Sequence, residues 1–185
     1  MSETLADNIL IQQYLKGDEK SLEILFERYL KPIYGFVYRS IGGQIEAEDV
    51  TQEVFIKVWK NLKKFDQEKK FKPWIFQIAK NTSIDFLRKK KSIPFSRFEN
   101  ENGQNALVEN ITTKPINILE NFSDKKFLAT ATQGLKNKEK RTVEMRHYDG
   151  LSFKEMARVF NESINTVKSR YRRALINLRD VIKKQ

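Results

Sequence analysis

Hydrophobic positions recur along this chain at helical spacing, not at the two-residue alternation of strands. A short helix pattern over Asp7 to Leu15 is broken by Gly17-Asp18. Leu22, Leu25, Phe26, Tyr29, Ile33, Phe36 and Val37 then place a broad apolar face on a helix from about Ser21 to Ser40, in which Pro32 predicts a kink or a split. Gly42-Gly43 ends that element. Val50, Val54, Val58 and Leu62 give a four-residue stripe to a third helix beginning near Glu46. A polar, basic stretch follows from Phe65 to Lys72. Pro73 suits the first position of a fourth helix, which turns Ile75, Ile78, Ala79, Thr82 and Phe86 inward and ends in Arg88-Lys89-Lys90-Lys91.

From Ser92 to about Pro115 the periodicity fails. Pro94, Gly103, Pro115 and many Asn and Glu residues predict a linker, and its scattered apolar residues suit a segment that lies in a groove on a partner. Helices are expected to resume near Ile116 and to run, with a break at Gly134, to the C-terminus. In the last stretch Met156, Ala157 and Phe160 form one apolar face. About four residues later Val167, Tyr171, Ala174 and Leu178 form another. Thr166, Ser169, Arg170 and Arg173 share a different, outward face. Two short helices, a tight turn and a basic, hydroxyl-bearing second helix read as a helix-turn-helix. The bland alternative is a surface helical hairpin with a solvated charged face. The fold class expected is all-α, with a helical domain over residues 1–91, a linker over 92–115 and a helix-turn-helix domain over 116–185.

Charge sharpens this picture. The formal net charge of the 185 residues is +11. It is segmented as −5 over residues 1–56, +9 over 57–91, −1 over 92–134 and +8 over 135–185. A basic excess suits nucleic acid, although its sign alone would also suit an anionic membrane. Two basic modules with an acidic front suit two nucleic-acid contacts and one face for another partner. Cysteine is absent and His147 is the single histidine, which leaves no disulfide framework, thiolate metal site or histidine-rich zinc centre. His147 reads as a satisfied imidazole. No Gly-rich phosphate loop or nucleophile–base pair supports an enzyme. No metal or cofactor is expected. The acidic N-terminus lacks a leader core, and no apolar run approaches the ~20 residues that span a bilayer, so a soluble cytoplasmic chain is expected, without membrane insertion.

Two further faces carry chemistry. On the third helix Asp49, Gln52, Glu53 and Ile56 fall at i, i+3, i+4 and i+7 and form an acidic face apart from the valines, which suits a basic protein partner. The next segment interleaves Lys60, Lys63, Lys64, Lys69, Lys70, Lys72 and Lys80 with Phe65, Phe71, Trp74 and Phe76. Cations that track a backbone, with rings for base stacking, suit a single strand. Trp74, Gln77, Asn81 and Arg88 share one helix face, whereas Trp59 and Phe76 are expected in the core.

These residues resemble the extracytoplasmic-function group of bacterial sigma factors, the specificity subunits of RNA polymerase. Lys16-Gly17-Asp18 and Ala47 to Phe55 look like its polymerase-docking region, Phe71 to Asn81 like its promoter-opening segment, and Leu151 to Leu178 like its terminal DNA-reading module. The resemblance implies docking through Asp49, Gln52, Glu53 and Ile56 on a coiled coil of core RNA polymerase. It implies contact with minus-ten promoter DNA through Lys64, Phe65, Lys69, Lys70, Phe71, Lys72, Trp74, Gln77, Asn81 and Arg88, with Asn81 in a pocket for an extruded base. It implies contact with minus-thirty-five duplex through Thr166, Lys168, Ser169, Arg170, Arg172 and Arg173. An anti-sigma factor is a common partner of such proteins, and their linker threads toward the polymerase active-site channel. The chain departs from the pattern at Asn161, Asn165 and Lys136. It also departs at Glu162, which replaces an apolar turn residue whose slot Ile164 is expected to fill. The alternative function is a stand-alone helix-turn-helix regulator.

Overall fold

The computed structural model describes residues 5–92 and 135–182, which fall in two units, Met1–Thr113 and Lys114–Gln185. The expected linker and the helix expected to begin near Ile116 lie outside the described residues. Among those described there is no strand.

The first unit contains α1 (Asp7–Leu15), α2 (Glu19–Ile41), α3 (Gln44–Asn61), a single 3₁₀ turn (Leu62–Lys64) and α4 (Phe71–Ser92). Gly17, at φ 105°, lets the chain reverse between α1 and α2. Asp18 caps α2 by accepting the Lys20 N–H at 3.2 Å. The α1–α2 hairpin is clasped at Asp7, which accepts hydrogen bonds from Arg28 at 2.5 Å and from the Tyr29 hydroxyl at 2.6 Å. Pro32 neither splits nor ends α2. One interior proline costs roughly 3 kcal/mol, whereas each large apolar side chain fully buried contributes about 1.5–3 kcal/mol. Leu25, Tyr29, Ile33, Phe36 and Val37 are all buried, so continuity of the stripe wins.

The stripe of α3 is internal as its spacing predicts, with Val50, Val54, Val58 and the following Leu62 all buried. It packs between α2 and α4, which also touch each other. The α4 helix starts two residues before Pro73. This costs nothing, because the first four N–H groups of a helix have no partner inside it. Ile75, Ala79 and Thr82 face the core, while Ile78 and Phe86 are half-buried. Phe76 is buried as expected, edge-on to Phe36 with centroids 5.3 Å apart.

The second unit contains α5 (Asn137–His147), α6 (Phe153–Phe160) and α7 (Ile164–Ile182), each packed on the other two. Lys136, one of the positions at which the chain departs from the family's pattern, has φ −60°, the angle that a proline would impose. Ser152 and Glu155 close a reciprocal capping box at the start of α6. Asn161 ends α6 in the left-handed conformation (φ 56°, ψ 49°), the geometry Asn tolerates in place of glycine. Leu135, Val143, Ala174 and Leu178 make a small core with Tyr171 against it. The Tyr171 hydroxyl lies 2.8 Å from His147 Nε2, so the single histidine is satisfied by a side-chain partner.

Truncating the ring that joins α2 to α4, in Phe76→Ala, is expected to lower the unfolding free energy by about 3–5 kcal/mol. Urea titration followed by circular dichroism measures it.

Candidate functional site

Burial of the valine stripe decides what α3 shows outside. Asp49, Gln52, Glu53 and Ile56 are all exposed, so the predicted acidic face exists as one surface. Glu53 forms an i,i+4 ion pair with Lys57 at 2.7 Å. That surface pair contributes under ~1 kcal/mol and leaves the carboxylate accessible. Trp59 corrects an expectation: it is 52% exposed instead of core. Its ring continues the Gln52–Ile56 row by one step of three residues, and its indole N–H donates to the Tyr14 hydroxyl at 2.9 Å. The spacing 49-52-56-59 could have revealed this, had the residue type not suggested the core.

The segment before α4 divides into an inner and an outer part. Phe65 and Phe71 are buried, which corrects their assignment as free stacking platforms. Phe71 meets Tyr29 edge-on at 5.1 Å and Phe65 at 5.8 Å. Trp74 packs against Phe65 at 4.8 Å and remains half-buried, so it is the one ring of the trio with an open side. The physical reason is length. With only six residues between the 3₁₀ turn and α4, the loop is fastened by turning its own rings inward. Lys64, Lys69 and Lys70 are exposed around this cluster, and Lys72 is half-buried. Gln77 is half-buried and Asn81 exposed one turn further on, with Arg88 exposed beyond them and paired to Asp85 at 3.1 Å.

Asp66 organises the outer loop. Its carboxylate accepts the Glu68 N–H at 3.1 Å and the Lys69 ammonium at 3.0 Å, while its carbonyl accepts the Lys69 N–H at 3.0 Å. The Lys69 hydrogen bond, and then the Glu68 backbone bond, hold its carboxyl below the usual aspartate range.

On α7, Thr166, Lys168, Ser169, Arg172 and Arg173 are exposed and span the outward face. Ser163 caps the helix by accepting the Thr166 N–H at 3.1 Å. Arg170 is the exception. It is only 7% exposed, donates to the Glu162 carboxylate and lies over the Phe160 ring at 5.2 Å. Arg170 is therefore not on the outward face. The signal was present, because it stands three residues after Val167 and four before Ala174, on the stripe itself. Glu162 keeps the turn slot by pairing, and Ile164 stays exposed, contrary to its expected inward rotation.

The described surfaces are thus an acidic helix face, a basic loop over sheltered rings and, in the second unit, a helix-turn-helix. Comparison with known proteins identifies the family. Residues 25–93 match Sigma-70 region 2, and residues 128–178 match Sigma-70, region 4. The chain is 29% identical over 178 residues to the ECF RNA polymerase sigma-E factor of Escherichia coli (strain K12), covering 94% of this chain and 93% of the relative. It is 29% identical over 184 residues to the ECF RNA polymerase sigma factor SigW of Bacillus subtilis (strain 168), covering 95% and 94%. Its fold is similar to that of the sigma factor RpoE from Bartonella quintana, solved in complex with the anti-sigma factor NepR, with a TM-score of 0.68 and 22% identity over 89% of this chain and 98% of that one. The chain belongs to the extracytoplasmic-function group of RNA polymerase sigma factors. A stand-alone regulator is not favoured, since it leaves the region 2 match without a role. No described helix is long and apolar enough to cross a membrane.

An NMR titration should place the Asp66 midpoint below that of an ordinary aspartate, and Lys69→Ala should move it back up. The loop contacts then stabilise the fold above the ordinary aspartate range and are lost as pH falls through the depressed value.

Proposed function

We propose that this sigma factor, acting in the cytoplasm and without catalytic chemistry of its own, docks on core RNA polymerase through the exposed face of α3. Asp49, Gln52, Glu53 and Ile56 supply that face, with Trp59 as its apolar continuation. The observation that carries the reading is the separation of surfaces by the α3 stripe. An acidic, partly apolar face points one way, while the basic loop and Asn81 belong to the next helix. An acidic face is repelled by phosphates and suits a basic protein surface, with Trp59 a ring of the kind enriched at interface centres.

The loop from Lys64 to Phe71, with Trp74, Gln77, Asn81 and Arg88, contacts minus-ten promoter DNA. Phe65 and Phe71 hold the loop from beneath and leave Trp74 as the stacking ring. Stacking contributes roughly 1–3 kcal/mol per base, comparable with the few kcal/mol needed to unstack one. Asn81 offers a donor pair and an acceptor, suited to the edge of an extruded base. The helix α7 reads minus-thirty-five duplex through Thr166, Lys168, Ser169, Arg172 and Arg173. An anti-sigma factor is a further partner, supported by the complex in which the Bartonella quintana relative was solved.

Asp49→Lys combined with Glu53→Lys is expected to abolish binding to core polymerase in native-gel shift, with an unchanged circular dichroism spectrum. Retained affinity would remove these residues from the docking site.

Asn81→Ala is expected to reduce promoter opening in permanganate footprints and to relax preference at one minus-ten position, with core binding unchanged. A pre-melted mismatched template should recover part of the activity. Normal melting with unchanged preference would exclude a base-reading role.

A further inference from the structure

The angle between α6 and α7 decides which side chains of α7 can enter a groove, and one part-buried charge pair sits at that corner. We infer that Arg170 and Glu162 form a lock that sets the pose of the recognition helix. Arg170 is thus a positioning residue, and base and phosphate contacts fall to Thr166, Lys168, Ser169, Arg172 and Arg173. The inference rests on the proposal that α7 reads duplex DNA.

The guanidinium of Arg170 is turned inward. Its Nη2 donates to Glu162 Oε2, its Cζ lies over the Phe160 ring, and its Nη1 is buried with no hydrogen-bond partner among the described residues. Reading a guanine edge needs that planar fork free to donate two parallel hydrogen bonds. Glu162 stands on the turn itself, next to the left-handed Asn161. It receives Arg170 from α7, and Lys138 from α5 approaches its other oxygen at 4.0 Å. That carboxylate thereby ties the turn to α7, while the Phe160 ring ties Arg170 to the end of α6. An apolar side chain in this slot would fill space without fixing direction.

Charge makes the inference testable. Glu162 is a negative group in a basic module that approaches phosphates, so on charge alone its removal should strengthen binding. A lock requires the opposite.

The full chain is titrated, at several salt concentrations, with the duplex that the wild-type protein selects from a random-sequence pool. Glu162→Gln and Arg170→Ala are each expected to weaken binding by roughly tenfold, since breaking one side of a buried pair strands the other. The dependence of log affinity on log salt should keep its slope. The charge-neutral double variant Glu162→Leu with Arg170→Met should regain most of the affinity with no guanidinium at position 170, as buried pairs commonly tolerate apolar replacement. The inference is overturned if Glu162→Gln binds as tightly as wild type or tighter. It is also overturned if the slope of Arg170→Ala becomes shallower by about 0.9, the signature of one lost phosphate contact, or if the double variant stays weak while folded by circular dichroism. Should Arg170→Ala fail to fold, Glu162→Gln and the double variant decide. Arg173→Ala is the control: if it leaves duplex binding unchanged, the reading of α7 fails, and the lock with it.

Discussion

Everything the first unit presents outward depends on the burial of one stripe. Val50, Val54, Val58 and Leu62 are shut between α2 and α4, and a helix cannot rotate one face without rotating all of them. With the valines inside, Asp49, Glu53, Ile56 and Trp59 must face out. The same core fixes α4 through Phe76 against Phe36, which leaves Asn81 exposed on the opposite side. The acidic face and the basic loop are two consequences of a single packing solution, which lets a small helical unit carry both without mixing their charges.

The second unit joins its apolar core to directional contacts. Leu135, Val143, Met145, Leu151, Met156, Ala157, Val159, Val167, Ala174 and Leu178 are buried, and beside them stand the Ser152–Glu155 capping box, the His147–Tyr171 pair, Asn177 donating to Glu139 at 3.2 Å, and the Glu162–Arg170 pair. Small units bury a smaller fraction of their surface, so polar contacts of defined geometry matter more to their uniqueness.

The loop between these roles shows a division of labour. Phe65 and Phe71 anchor it from below, Asp66 closes its top through Glu68 and Lys69, and Lys64, Lys69 and Lys70 stay exposed. Aromatic and basic residues interleaved in sequence are sorted by depth in the fold, rings mostly inward and ammonium groups outward.

The sequence alone determined the helices, their stripes and the acidic face of α3, because a 3.6-residue period carries that information without any partner. It also carried the two basic modules and the turn at Asn161. It did not decide depth. Trp59 came out of the core and Phe65 and Phe71 went into it, since a ring's burial depends on which neighbouring helix covers it, and spacing within one helix is silent on that. Pro32 sits in an unbroken α2 because buried side chains around it outweigh one missing hydrogen bond, a balance only packing sets. Arg170 moved from the outer face to the inner one for a similar reason. Its charge argued for solvent, but Glu162, eight residues away and across a turn, neutralises it in place, and only the tertiary structure brings the two together.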